Sequence, residues 1–157
     1  MDDNRFAPPK AVVEGAYDSV EAAPPLWNPN AAASWCLLLT PIFGTWLHLK
    51  NWLAMGEVER AGSARTWFIL SIVVVLGSIV LAAIVPGPLV SSVRVINFGF
   101  LIAWYYAAAK PQVKYVKGRF GDGYPRRGWG VPIIFALVIG FSAVIALGIL
   151  IGLARAG

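Results

Sequence analysis

Three polar side chains at helical spacing, between residues 34 and 52, are the first candidates for chemistry. Thr45, His48 and Asn51 are three residues apart, so a helix would place them on one face. A histidine in such a stripe could shuttle protons or bind a ligand, because its neutral ring both donates and accepts hydrogen bonds. A lone histidine close to Lys50 is also typical of the polar face of a helix that lies at a membrane interface. The second interpretation is favoured.

A second polar pair, Arg94 and Asn97, lies within another apolar stretch. An ionisable residue inside a membrane often marks a solute pathway, because an unpaired arginine at the centre costs about 2.5–3.5 kcal/mol or more. Arg94, however, falls near the start of its predicted helix, where its side chain can reach the membrane surface. Asn97 can hydrogen-bond to a neighbouring helix. We therefore favour packing roles over a pathway.

Catalysis and metal binding have few residues to use. Beyond the first thirty residues the only acids are Glu57, Glu59 and Asp122, all predicted in loops, and no nucleophile has a recognisable base. Cys36 and His48 are the only cysteine and the only histidine, which is too few for a zinc site. The sequence predicts no enzymatic activity, no cofactor and no metal.

The composition indicates a membrane protein. Hydrophobic residues make up 58% of the chain and charged residues 13%, with a mean hydropathy of +0.68, whereas a soluble domain carries about 25% charged residues. An uncharged apolar helix of about 20 residues can cross the hydrocarbon core, because it satisfies its own backbone hydrogen bonds. The sequence therefore predicts an all-α integral membrane bundle. Its four apolar helices are expected at about residues 31–55, 66–85, 89–109 and 131–153.

The first 24 residues differ from the rest of the chain. They hold five of its eight acidic residues and three of its prolines. Such a segment has too little apolar surface to offset its ordering entropy, so residues 1–24 are predicted to be a disordered tail before a helical membrane domain, residues 25–157. Trp27 is expected at the lipid headgroups, and Asn30 is expected to cap a helix that begins at Ala31.

The first apolar helix allows two interpretations because Pro41 and Gly44 interrupt it. Residues 31–49 are just long enough for one membrane span, kinked at Pro41. Alternatively, residues 31–40, about 15 Å long as a helix, enter the membrane and turn back. Residues 42–55 would then lie in the interface. The length narrowly favours the kinked span, and the side on which the tail lies depends on the choice.

Lysine and arginine positions predict the orientation. With the basic loop at residues 110–127 in the cytoplasm, nine Lys and Arg lie inside and four outside if the first helix spans. The split becomes eleven to two if that helix re-enters. Orientation explains the net charge of +5 without nucleic acid. Six cations could also contact anionic lipid headgroups, each contributing about 1 kcal/mol: Lys110, Lys114, Lys117, Arg119, Arg126 and Arg127.

Small residues on the last apolar helix predict close helix packing. Gly140, Gly148 and Gly152 are spaced at multiples of four, which places them on one face. Glycines on one face let two helix backbones approach closely in lipid. Packing within the bundle is favoured over a homo-oligomer.

Several motifs along the chain together carry a resemblance: Trp27-Asn28-Pro29-Asn30-Ala31-Ala32-Ala33, then Thr40-Pro41, Phe43-Gly44 and Asn51-Trp52, with the loop at residues 121–129 in support. They resemble a family of small proteobacterial inner-membrane proteins with no assigned function. The resemblance covers about residues 25–130 and implies residence in a bacterial inner membrane. It supplies no catalytic residue.

The sequence therefore predicts a small accessory or scaffold protein that acts through contacts with lipid or other membrane proteins. The alternative is a subunit of a transporter or channel that uses Arg94, Asn97 and His48.

Overall fold

The computed structural model describes residues 22–84 and 90–156, and it confirms the all-α class. Apart from one bridge between Leu26 and Arg126, the described residues contain no β-structure. The predicted tail lies outside them except for residues 22–24, and so does the connection between the predicted second and third apolar helices. The helices are α1 Pro29–Leu38, α2 Pro41–Ala54, α3 Val58–Ile84, α4 Val90–Trp104, α5 Lys110–Phe120 and α6 Gly130–Ala156.

The kinked single span is wrong, because α1 and α2 fold back on each other as a helical hairpin. Trp27 is hydrogen-bonded to Asn51, and the carbonyl of Pro29 lies 3.1 Å from His48 Nε2. Further along, Ala32 packs against Leu47 in one core cluster. In these pairs the residue number on the α2 side falls as the residue number on the α1 side rises, which is the pattern of antiparallel helices. Residues 22–28, which precede α1, therefore lie at the same end of the molecule as the end of α2.

Local capping explains why the chain breaks here. Asn28, not Asn30, caps α1: its side-chain oxygen accepts from the backbone of Asn30 at 3.0 Å and Ala31 at 3.3 Å. Pro29 occupies the first turn, where a missing N–H costs nothing. Thr40 repeats the arrangement for α2, since its hydroxyl accepts from Phe43 N at 3.3 Å ahead of another proline. With two helix-start signals, a new helix forms where a kink was predicted.

Gly44 allows the hairpin to close. A Cβ at this position would overlap Cys36 Sγ and lie 3.0 Å from the backbone oxygen of Ala32. Rotation of the Cys36 side chain could move Sγ away, but the 3.0 Å contact with the Ala32 backbone oxygen and the 3.3 Å contact with Cys36 Cβ would remain. The two helices therefore pack closely enough that even a methyl group at this position is crowded.

The connector after α2 is shorter than predicted. Residues 56–65 were expected to be a polar loop, but α3 already begins at Val58 and includes Glu59, Arg60 and Arg65. Their helical spacing continues into the apolar run, so the polar residues form the first two turns of the helix. In the described part of the chain one helix, over Val58–Ala82, is long and apolar enough to cross a membrane.

The prediction of a basic loop at residues 110–127 is also partly wrong. The helix of α4 continues through a π-helical turn, Tyr105–Ala109, into α5 and ends only at Gly121, whose φ is +65°. Pro111 falls in the first turn of α5, a position that tolerates its missing N–H. Four of the six predicted headgroup cations are therefore on a helix, and Arg126 and Arg127 are in the segment that follows it.

Among the residues that the structure describes, the last helix, α6, packs on the core clusters through its first turns. Trp129, Ile133 and Ala136 contact the core cluster of Trp27 and Phe43. Beyond them large apolar side chains point outward, including Phe141 at 73% exposure and Val144 at 69%. The same holds for apolar residues along α3 and α4: Val73, Leu76, Val80, Val95, Ile96 and Phe98. These helices present apolar surfaces to their surroundings.

Candidate functional site

The predicted polar stripe of α2 is buried in the protein. Thr45, His48 and Asn51 are each 2% exposed or less, so the favoured prediction of a polar face at the interface is wrong. The helical spacing did place the three residues together. The three side chains face the interior instead of the membrane interface, because α1, α3 and α5 supply polar partners for them inside the bundle.

Asn51 holds the start of the hairpin. Its Oδ1 accepts from Trp27 N at 3.0 Å, and its Nδ2 donates to Trp27 O at 2.8 Å. The carboxamide thus pairs with both backbone groups of one residue, as a neighbouring β-strand would. Trp27 is buried against Phe43 and Trp46, and its Nε1 donates to Gly128 O at 3.1 Å. The expected headgroup position of Trp27 is therefore replaced by a place in the core.

Thr45 joins the hairpin to α3. Its hydroxyl lies 3.0 Å from Ser71 Oγ and 2.9 Å from the carbonyl oxygen of Pro41. Ser71 in turn donates to Phe68 O at 2.7 Å. Because each hydroxyl has one proton, Thr45 can donate to Ser71 while Ser71 donates to Phe68 O, so both buried hydroxyls have a hydrogen-bond partner.

His48 is held from two sides. Since the Pro29 carbonyl can only accept, Nε2 carries the proton at the 3.1 Å contact. Trp104 packs edge-on against the imidazole, with ring centroids 5.2 Å apart, and Gln112 Nε2 donates to the backbone oxygen of His48 at 2.8 Å. His48 Nδ1 and Gln112 Oε1 have no protein partner. A proton relay needs hydrogen bonds on both sides of the ring, and protein groups supply only one.

The structure does not bring Arg94, Asn97 and His48 together. Arg94 is exposed on α4. Asn97 donates to Ser78 Oγ at 2.6 Å and to Val93 O at 2.9 Å, which links α4 to α3 as the packing interpretation predicted. His48 has different partners, which are Pro29 on α1, Trp104 at the end of α4 and Gln112 on α5. Three separate positions do not form a pathway.

The predicted headgroup cations divide into three groups. Lys114 and Lys117 are exposed on α5, and Lys110 lies over the ring of Tyr106 at 5.0 Å. Arg119 forms an ion pair with Glu57 at 2.8 Å, and Tyr115 donates to the same carboxylate.

Arg126 and Arg127 stack on aromatic rings beyond α5. Arg126 lies over Tyr124 and Arg127 over Trp27. Burial raises the pKa of the Tyr124 phenol, and the charge of Arg126 opposes this shift. These two cations therefore cover the rings of Tyr124 and Trp27.

A basic groove opens between the start of α3 and the α4–α5 junction. Its volume is about 750 Å³. Arg60, Lys110 and Lys114 line it together with three aromatic residues: Trp52, Tyr106 and Tyr115. Among the described residues that line it there is no acid. The groove offers positive charge beside ring faces, which suits an anionic ligand with an apolar part.

Arg60 is the residue in this groove that the sequence did not single out. Its guanidinium carbon lies 4.1 Å from the ring centroid of Tyr115 and 5.2 Å from that of Trp52. Glu57 approaches its Nε at 3.8 Å while pairing more closely with Arg119. The only sequence signal was an arginine at the start of an apolar run, which we counted for orientation alone.

The predicted packing glycines have no close neighbour among the residues that the structure describes. A Cβ at Gly140, Gly148 or Gly152 would meet no described atom within 4 Å. Close packing of these glycines within the bundle therefore stays a prediction. Among the residues that the structure describes, no three His, Cys, Asp or Glu side chains are close enough to hold a metal ion.

Comparison with protein-family models, with curated proteins and with solved structures finds no match for this chain.

Proposed function

We propose that this chain is a non-enzymatic, multi-pass protein of a bacterial inner membrane that acts through contacts with lipid and with neighbouring membrane proteins. One observation supports the proposal most: the buried polar side chains of the hairpin bond to the protein itself. Asn51 holds backbone, and Thr45 bonds to Ser71. The outer helices meanwhile turn apolar side chains outward. Polar groups thus build the fold, and apolar groups face the membrane.

In this proposal α3, α4 and α6 are the spans, and the hairpin of α1 and α2 re-enters from the cytoplasmic side. The cations of α5 and the segment after it then lie at that surface, as the positive-inside rule expects. Orientation and lipid attraction suffice to explain the charge, so nucleic acid is not needed as a partner. The resemblance to proteobacterial inner-membrane proteins favours the same location.

Extraction of cell membranes tests the integral part of the proposal. We expect the full chain to stay in the membrane pellet after washing with high salt and with alkaline carbonate. Release by salt alone would show a peripheral protein and contradict the proposal.

Photo-cross-linking in those membranes tests the function by contact. A photoreactive residue at Lys117, exposed on α5, should give discrete protein or lipid adducts, whereas the matched position Val95, on the apolar face of α4, should give lipid adducts alone. Absence of adducts from Lys117 would count against a contact surface at this end.

The alternative, a transporter or channel subunit, has no contact in its favour, because Arg94, Asn97 and His48 are separate. Flux measurements separate the two functions. Reconstituted vesicles should pass no ions or small solutes above an empty control. A flux that disappears in His48→Ala would support transport and overturn the proposal.

A further inference from the structure

A second groove lies beside the basic groove, and one residue lines both. The second groove, of about 270 Å³, runs between α1 and α4 and is lined largely by apolar side chains. Cys36, Leu37, Phe98 and Ile102 belong to it, and Tyr106 belongs to both grooves. We name it the apolar groove. Tyr106 therefore marks where a charged recess meets a hydrophobic one.

The two grooves are arranged along the helix axis, as the headgroup and acyl chains of a lipid are arranged along the membrane normal. Phe98, Ile102 and Tyr106 are spaced four residues apart along α4, so they cover about 12 Å parallel to the helix axis. The basic groove lies at the start of α3, near Arg60, and the apolar groove reaches Leu37 at the closed end of the hairpin. If α3 crosses the membrane, the basic groove is at headgroup depth and the apolar groove is in the hydrocarbon.

The chemistry of each groove suits one part of a single molecule. Arg60, Lys110 and Lys114 supply three positive charges to a recess whose described lining has no acid. Their charge is held in place by stacking, since Arg60 lies over Tyr115 and Lys110 over Tyr106. Arginine and lysine beside each other are the usual ligands of a phosphate group. The π-helical turn that carries Tyr106 forms the wall shared by both grooves, and such turns occur frequently at functional sites.

We propose that the two grooves together bind one anionic glycerophospholipid, with its phosphate among Arg60, Lys110 and Lys114 and an acyl chain along the apolar groove. This proposal rests on the membrane location proposed above. It goes further because it assigns a defined lipid site to particular residues, and it adds Arg60, which is not among the predicted headgroup contacts.

Native mass spectrometry of the full chain released from lipid nanodiscs tests the headgroup half. The discs contain equal amounts of dioleoyl phosphatidylglycerol and dioleoyl phosphatidylcholine in 0.15 M salt. The wild type should retain one phosphatidylglycerol molecule in preference to phosphatidylcholine. Replacing Arg60, Lys110 and Lys114 together with glutamine should lower that preference by about fivefold for each cation, the factor corresponding to ~1 kcal/mol.

A second triple variant is the matched control. Lys50, Arg65 and Arg94 are exposed cations that neither line the groove nor belong to the predicted headgroup contacts. Their replacement with glutamine removes the same charge, but charges beyond about 8 Å are largely screened at this salt concentration. The control should keep the preference within about twofold. Equal losses in both triples would show diffuse attraction and overturn the site.

The apolar half is tested by filling its groove. Ser34 is exposed and lines the apolar groove, so Ser34→Trp places an indole there without entering the core. This variant should weaken retention of the dioleoyl lipid and leave binding of dihexanoyl phosphatidylglycerol unchanged. Equal binding of the dioleoyl lipid by Ser34→Trp and the wild type would overturn the acyl-chain assignment.

Two further outcomes separate the possible failures. Full displacement of phosphatidylglycerol by soluble glycerol 3-phosphate would show a site for free phosphate and overturn the lipid proposal. A chain that enters nanodiscs but shows no headgroup preference overturns the site alone. A chain that does not enter nanodiscs overturns the membrane function and the site together.

Discussion

At the scale of single residues, the sequence located the polar stripe of α2 but not its direction. Helical spacing puts Thr45, His48 and Asn51 on one face whatever surrounds the helix. Which side that face turns to depends on partners far along the chain, such as Ser71 and Gln112. Neither partner had a local signal, because a serine in an apolar run and a glutamine in a basic segment are both ordinary. The residues could therefore be predicted, and their burial could not.

Gly44 carries the sharpest prediction at this scale. Gly44→Ala should destabilise the hairpin by about 1–3 kcal/mol, because the new methyl group overlaps Cys36 and crowds the Ala32 backbone. The thermal unfolding midpoint in mild detergent measures the effect. Gly140→Ala, the same change at an open position of α6, should leave the midpoint unchanged or raise it, since alanine is favoured over glycine in helices by roughly 0.8–1 kcal/mol. Equal midpoints for the two variants would contradict the close packing of the hairpin.

At the scale of elements, helix positions in the apolar runs were predictable, whereas breaks and continuations were not. A proline inside a run predicts a kink and a helix start equally well. At Pro41 the Thr40 cap and the packing of Gly44 on α1 select a new helix. At Pro111 the preceding π-helical turn lets the chain continue as a helix. The length of a run alone cannot distinguish these outcomes.

The clamp between Asn51 and Trp27 predicts how the segment before α1 is held. Asn51→Ala leaves the buried backbone N–H and C=O of Trp27 without partners, which costs about 1–3 kcal/mol per group. Limited proteolysis should then cut the chain near residues 22–28 much faster than in the wild type. Lys50→Ala, one position away and exposed, is the control and should be cut at the wild-type rate. Equal rates for Asn51→Ala and the wild type would show that the clamp does not hold this segment.

At the scale of the whole molecule, the charge pattern indicated which ends lie together. Re-entry of the first helix places eleven Lys and Arg inside and two outside, whereas a full span places nine inside and four outside, so the positive-inside rule favoured re-entry. The length of the helix favoured a span. The hairpin agrees with the charge count. The distribution of Lys and Arg depends on the final topology, whereas the length of an apolar run shows only whether it is long enough to span. None of the residues that the structure describes covers the glycine face of α6.

The central claim is that the hairpin of α1 and α2 does not cross the membrane. Single cysteines placed at exposed positions in a Cys36→Ala background test it with a membrane-impermeant maleimide on vesicles of both orientations. Cysteines at Ala22, Glu59 and Asp122 should all react from the same side, and one at Ala82 should not react from that side. Labelling of Ala22 from the side opposite Glu59 would contradict the claim.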